Sequence, residues 1–349
     1  MKTSEILVVA PNFKKRLSGV TSTIVQLVPL QAQSLPIVAF GPGLPGHLPK
    51  LKVRQLPALW FRPRAKPVRI WHARRNVEML PGIFMRDVLR MPLKLVFTSA
   101  AQRRHTAYTR FLISRMDKVI ATSQRSAAYL EVPNQVIMHG IDLQRFRPAG
   151  SASEARASLG LPERRTIGCF GRIRHQKGTD LFVDAMIALL PQNPEWQAVI
   201  TGRATAEHAQ FDAVLKEKVK AAGLADRILF KGEVEHPAPY YQALDLFVAP
   251  QRWEGFGLTP LEAMASGVPV VAADVGVFAD VVTDQTGQLV PADDPVALTR
   301  AIADWMGDRQ RLTAASGAAY SHAQATFPLQ REAAQIDAVY TELWNQPTG

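Results

Sequence analysis

The 349-residue chain has a single cysteine, Cys169, so no internal disulfide can form. That thiol sits in the apolar run TIGCF, the setting of a buried structural residue rather than a nucleophile. No apolar run approaches the roughly eighteen residues needed to span a bilayer. The N-terminal MKTSEILVVAPNF is too short in its apolar part for a signal peptide, and no small-residue cleavage site follows it. Zinc-binding, helix-turn-helix and RNP signatures are missing, as are repeats and low-complexity tracts. No Asp-x-Asp pair with metal-binding spacing occurs. These absences exclude a disulfide-stapled secreted domain and a membrane-spanning protein. They predict a cytoplasmic chain whose membrane contact is made only at its surface.

Acidic residues are scarce in one half. Residues 1–150 carry 24 Lys+Arg against 6 Asp+Glu, a net of +18, while the remainder carries 17 against 24, a net of −7. Such asymmetry points to an acidic partner for the first half: nucleic acid, an anionic membrane or a phosphorylated substrate.

Short apolar runs alternate with helical patterns through both halves, the signature of parallel α/β sheets. In the first half the runs are 6–10, 36–40, 53–56, 93–98, 118–121 and 135–138, with helices predicted over 20–32, 79–94 and 123–130. In the second they are 166–170, 196–201, 228–230, 244–249 and 269–273, with helices at 179–190, 206–222 and from 295 onward. Residues 328–345 form an amphipathic helix with Ile336, Val339, Tyr340, Leu343 and Trp344 apolar. The stretch 60–69, WFRPRAKPVR, interleaves aromatic and basic residues. The 79–94 helix suits a membrane surface or a core-facing position with a charged outer side, and both stay open.

The stretch Arg252 to Pro269, RWEGFGLTPLEAMASGVP, carries the chemistry. An apolar strand leads into a loop with Gly255 and Gly257, then Pro260 at a helix start. Backbone N–H groups at such a junction suit an anion. Glu254 and Glu262 bracket the loop, and carboxylates there have use only as acceptors for hydroxyls. Phosphate flanked by hydroxyls describes a nucleotide-sugar. Upstream, Gly171-Arg172-Ile173-Arg174-His175-Gln176-Lys177-Gly178 follows the first strand of the second half.

The 252–269 stretch closely resembles the E-x7-E segment of the retaining, nucleotide-sugar-dependent glycosyltransferases of family 4, through Gly255, Phe256, Gly257, Pro260, Glu262, Ala263, Gly267 and Pro269. The resemblance continues through Gly276 and the TGQLV run at 286–290. It implies the α/β GT-B fold: two Rossmann-like domains whose parallel sheets face across a cleft. The first would span 1–148 and bind the acceptor, with the helix 328–349 packing back on it. The second, 149–327, would bind the donor. Arg172 and Lys177 match the family's diphosphate-binding pair, a bidentate fork and a point charge that together neutralise the leaving group.

The resemblance also places Glu262 on the ribose, Glu254 on the donor sugar, and backbone from Phe256 through Leu258 to Thr259 on sugar and phosphates. Gly171, Gly232 and Val234 line the donor, and Gly19 stands where the first glycine loop reaches across. Retention by front-face displacement without metal or other cofactor is implied. Many relatives carry a His after the strand matching 93–98, where this chain has Ser99-Ala100-Ala101-Gln102. The candidates for that catalytic place are His72 and His105. The strings WHARRN and FTSAAQRRH resemble bacterial lipopolysaccharide core mannosyltransferases, which act on acidic lipid acceptors; Lys14, Lys15, Arg74, Arg75, Arg103 and Arg104 are then acceptor-binding. GDP-mannose is the expected donor, with a UDP-sugar as alternative, and a nucleotide-sugar epimerase or a basic nucleic-acid-binding protein as rivals. Nucleic acid is not the expected partner. The net charge is assigned to an anionic membrane, at the inner face of the cytoplasmic membrane, met by the 14–16 loop, the 60–69 stretch and the 86–94 segment.

Overall fold

A computed structural model describes residues 2–14 and 19–346. Two compact units divide the chain: residues 1–140 with 329–349, and residues 141–328. Unit 1 holds a six-stranded parallel sheet of β1 (Val8–Pro11), β2 (Ile37–Phe40), β3 (Arg69–Ala73), β4 (Leu93–Ser99), β5 (Lys118–Ala121) and β6 (Gln135–Val136), in the order β2-β1-β3-β4-β5-β6. Unit 2 holds β7 (Arg165–Phe170), β8 (Trp196–Thr201), β9 (Ile228–Gly232), β10 (Leu246–Ala249), β11 (Val270–Ala273) and β12 (Gly287–Val290), in the order β12-β11-β10-β7-β8-β9. All the pairings are parallel. The central strands β1, β3, β7, β8, β10 and β11 are buried almost throughout. That explains the continuous apolar runs of β1, β10 and β11 in place of polar alternation.

The C-terminal helix Leu329–Asn345 belongs to unit 1. It lays Ile336, Val339, Tyr340 and Leu343 into the core formed by Val8, Ile24, Ile70 and Val96. Trp344 donates its indole N–H to the Val68 carbonyl at 3.0 Å. Each such large side chain contributes roughly 1.5–3 kcal/mol by burial, so this helix is a structural part of unit 1.

Three local expectations differ from the structure. Residues 53–60 form a 3-10 helix rather than a strand, with Pro57 inside it and only Leu59 buried; a segment with one inward residue has nothing to pair against. The helical pattern at 79–94 becomes the helix Asn76–Ile83 continued by a π-turn at Phe84–Val88, and Arg90 at φ +55° ends it. Residues 123–130 hold a single turn, Gln124–Ala127. The structure adds the helices Ala107–Ser114, Phe278–Val281 and the 18-residue Arg309–Thr326 to those expected.

Candidate active site

In a doubly wound sheet, ligands meet the carboxyl ends of the strands where strand order reverses, because the flanking loops there part to opposite faces. In unit 2 that reversal lies between β7 and β10. The two stretches singled out above are the segments that leave those strands. After β7 come Gly171, the half-buried Arg172 and a tight 3-10 turn, His175–Lys177, which leads into the helix Thr179–Leu189. After β10 comes the loop that ends in the helix Thr259–Ala265.

The two segments touch. Lys177 Nζ forms an ion pair with Glu254 Oε2, and Glu254 Oε1 accepts the Gly255 N–H at 3.0 Å. Gly178 sits at φ +67°, where a Cβ would lie 1.9 Å from the Pro250 carbonyl oxygen, so only glycine admits this approach. Gly257, at φ +84°, has the Phe278 ring 2.5 Å and Glu254 Cγ 2.8 Å from where its Cβ would stand. The glycines expected to free the loop for phosphate thus also seat Glu254.

Arg252 holds this contact together. Its guanidinium donates to both Asp180 carboxylate oxygens at 2.8 Å, to the His175 carbonyl and to Asp293, while its backbone N–H donates to the Gln176 carbonyl. Burial pushes the Asp180 carboxyl up, but the Arg252 hydrogen bonds and charge outweigh it and hold the group below its ordinary value. Sequence reading missed Arg252 and Asp180. An Arg opening the E-x7-E stretch and an Asp two residues after Gly178 were visible, yet nothing in their spacing pairs them.

Glu262 is held from behind. Tyr241 donates its hydroxyl to Glu262 Oε2 at 2.7 Å, and its buried ring packs against Phe170 and Phe247 with centroids 4.7 and 5.4 Å away. Burial raises the Glu262 carboxyl above its usual range, with the Tyr241 hydrogen bond and the Arg145 charge pulling the other way. The Thr259 hydroxyl is buried with no hydrogen-bond partner among the described residues. Phe256 is buried while Gly255, Gly257 and Leu258 are half-buried. Gly232 ends β9 and accepts the Gly202 N–H at 2.6 Å, and Val234 is half-buried two residues on.

Unit 1 reverses its strand order between β1 and β3. Arg75, just past β3, donates to Asn12 Oδ1 at 2.8 Å and Thr21 Oγ1 at 2.9 Å, and pairs with Glu78 at 2.8 Å. Asn12 lies just past β1, and Thr21 is on the helix Gly19–Gln31. Arg74 is 9% exposed and donates one N–H to the His72 carbonyl at 3.3 Å. Lys14 is exposed, and Lys15 lies outside the described residues. Arg103 and Arg104 are exposed in the loop after β4.

The two candidate histidines sit in different surroundings. His72 is fully buried within β3, with Nδ1 2.6 Å from the Tyr340 hydroxyl and Nε2 2.7 Å from Thr98 Oγ1. Burial, then the Arg74 charge, drives its pKa well down. Both nitrogens are used inside unit 1, so His72 is part of the core of that unit. His105 lies elsewhere, lining a cavity of about 280 Å³ with Arg110, Phe111 and Tyr129. Part of the basic surface also turns inward. Arg69 is fully buried and donates to the carbonyls of Thr3, Ile6, Leu59 and Phe61. Lys66 stands 5.1 Å over the Trp344 ring. Arg86 pairs with Asp87 and Asp117, and Lys94 with Asp117.

Gly41, Gly43 and Gly46 carry the spacing of a dinucleotide-binding loop after β2, but the chain beyond them runs into turns and a bridge at Lys50. No helix N-terminus stands there to receive a phosphate. Among the described residues no three His, Cys, Asp or Glu side chains form a group that could hold a metal ion.

A family model described as Glycosyl transferases group 1 matches residues 164–308. The chain is 60% identical over 344 residues to the lipopolysaccharide core biosynthesis mannosyltransferase LpsB of Rhizobium meliloti (strain 1021), covering 97% of this chain and 98% of that protein. It is 59% identical to the lipopolysaccharide core biosynthesis mannosyltransferase LpcC of Rhizobium leguminosarum bv. viciae, covering 97% of each. Among solved structures, Anabaena Alr3699/HepE in complex with UDP is similar at a TM-score of 0.83 and 20% identity, covering 97% of this chain and 100% of that one. Sucrose-phosphate synthase from Thermosynechococcus elongatus is similar at a TM-score of 0.80 and 23% identity, covering 97% and 99%. These likenesses show the GT-B fold.

Proposed function

The chain belongs to the group 1 glycosyltransferases, and on that premise we propose that it transfers mannose from GDP-mannose, with retention, to an acidic lipid-linked acceptor of the lipopolysaccharide core. The sugar and acceptor class rest on the names that LpsB and LpcC carry. The observation that carries the mechanism is the contact of Lys177 with Glu254 at the β7/β10 reversal. A cation and a carboxylate held together there are a donor site in its closed-on-itself state. An incoming diphosphate competes for Lys177, and the released Glu254 then accepts hydrogen bonds from the sugar hydroxyls.

Arg172 joins Lys177 on the diphosphate, where negative charge grows as the glycosidic bond breaks, so both act more strongly on the transition state than on the bound donor. No metal is needed for that neutralisation. Glu262, oriented by Tyr241, takes the ribose hydroxyls. The departing phosphate accepts the acceptor proton on the same face, which leaves no task for a histidine base. In unit 1, Arg74 and Arg75 take the acidic acceptor.

The remaining exposed basic charge of unit 1 serves an anionic membrane at the inner face of the cytoplasmic membrane. No helix among the described residues is long and apolar enough to cross a membrane. Purified enzyme offered GDP-mannose and a panel of UDP-sugars, with product analysis, tests the donor. Mannosyl product from GDP-mannose that survives EDTA is expected. Turnover of a UDP-sugar alone, or activity lost to EDTA and restored by magnesium, overturns the donor or the metal-free route respectively.

A further inference from the structure

Unit 1 and unit 2 differ in where large apolar side chains reach solvent. In unit 2 the ones most exposed among the described residues, Val214, Trp253 and Val296, are scattered along the chain. Unit 1 puts four on one helical segment. The helix Asn76–Ile83 continues without a break into the π-turn Phe84–Val88. Its inner side buries Glu78, Met79, Gly82 and Met85. Its outer side carries Val77, Leu80, Phe84 and Val88, exposed by 49, 48, 49 and 61%. Spacings of three, four and four residues put those side chains on one strip.

A surface helix of a water-soluble unit turns a polar face outward, and one that is apolar on both sides wants a second apolar medium. The neighbouring helix Ala107–Ser114, tied on by the Asn76 amide to Thr109 Oγ1 at 2.7 Å, adds exposed Tyr108 and Phe111. Cations frame this surface. Arg90 follows the strip by two residues, and Arg103 and Arg104 precede the second helix. Arg62 stands two residues beyond Trp60, whose indole donates to the Leu89 carbonyl at 2.6 Å; all four arginines are exposed.

We propose that the Val77–Val88 strip is the face of unit 1 that inserts into the headgroup–acyl boundary of an anionic bilayer, with the arginines around it on the lipid phosphates. Apolar area ringed by cations matches a bilayer that offers both acyl chains and negative charge. The strip also starts two residues after Arg75. An acceptor that keeps its lipid anchor in the bilayer can reach Arg74 and Arg75 only if they lie within headgroup depth, and the insertion puts them there. This inference rests on the membrane reading above and names its anchor: the apolar helix rather than the basic 60–69 stretch.

Salt separates the two kinds of anchor, because charge attraction is screened within a few ångströms by half-molar salt while apolar burial is not. The test is co-sedimentation of the full chain with vesicles of phosphatidylcholine, alone or mixed with phosphatidylglycerol, at low and high salt. Wild type should bind the mixed vesicles and keep a measurable part of that binding in half-molar salt. The double variant Leu80→Asp/Phe84→Asp should lose roughly tenfold or more at low salt and all binding at high salt. Arg62→Gln/Arg64→Gln should weaken low-salt binding and leave the high-salt remainder. Both pairs are exposed, so each variant should fold, and an unchanged thermal midpoint checks this. Wild-type-like binding by Leu80→Asp/Phe84→Asp overturns the strip while the membrane reading stands. Failure of wild type to bind any vesicle removes both. A dimer in light scattering that Leu80→Asp/Phe84→Asp dissolves would assign the strip to a second copy and overturn the proposal.

Discussion

The two sheets reverse strand order in the same way, yet they bring different chemistry to the reversal. In unit 2, the segments after β7 and β10 meet as an ion pair, Lys177 with Glu254, with Glu262 held on a tyrosine close by. In unit 1, the segments after β1 and β3 meet as a hydrogen-bond cluster of Arg75, Asn12 and Thr21, over a core that has absorbed His72, Tyr340 and Glu78. The same backbone supplies the crevice, and side chains decide what it holds. A site with both charge signs suits a ligand that presents phosphate and hydroxyls together. A site dominated by guanidinium suits an anion.

The sharpest way to break that contrast is Lys177→Ala. Removing a cation from a leaving group whose charge grows in the transition state should lower turnover by roughly 10²–10³-fold, with the thermal midpoint little changed. A loss smaller than tenfold in steady-state assays would take the ion pair out of the reaction. Arg252→Ala should come next. It frees Asp180 and unties the two loops, so turnover should fall by about ten- to a hundredfold through misplacement of Lys177 and Glu254. Arg252→Lys should rescue only part of this, since a point charge cannot span both Asp180 oxygens. Full rescue would show that charge alone, not the two-pronged geometry, is what matters.

Glu262→Ala should weaken donor binding by about 1.5–3 kcal/mol, the scale for hydrogen bonds to a charged group, in isothermal titration of the folded variant. Arg75→Ala should instead raise the KM for acceptor about tenfold and leave donor affinity alone, since a hydrogen bond to a charged group is worth about 1.5 kcal/mol or more. A variant that disturbs both substrates equally would blur the division between the units.

The smallest effect concerns His72. Its folded pKa lies well below the unfolded value near 6.5, so below that pH the unfolded chain takes up a proton that the folded one refuses. Stability is therefore complete above pH 6.5 and declines as pH falls below it. His72→Gln should flatten that part of the stability–pH curve while leaving the pH–rate profile in place. A pH–rate profile that loses a limb in this variant would restore His72 to catalysis.

Much of this was legible in order along the chain. Glu254, Gly257, Glu262, Arg172 and Lys177 stand in short patterns whose local geometry, a strand followed by a glycine-bearing turn and a helix, is set by neighbours a few residues away. The strands β5 and β8 and the helix beginning at Pro295 were readable for the same reason: continuous apolar runs and proline at a helix start act locally.

What the chain alone could not say is which residues meet. Lys177 and Glu254 are 77 positions apart and Arg252 and Asp180 are 72 apart, and only the reversal between β7 and β10 makes them neighbours. The sequence determined an α/β chain with a glycine-bearing, carboxylate-flanked strand-to-helix loop in its second half and excess positive charge in its first. Tertiary structure alone decided that Arg69 and His72 are core residues and that the helix from Asn76 shows an apolar face to solvent. Burial depends on what packs opposite, and a helix apolar on both sides carries no mark of which side the core will take.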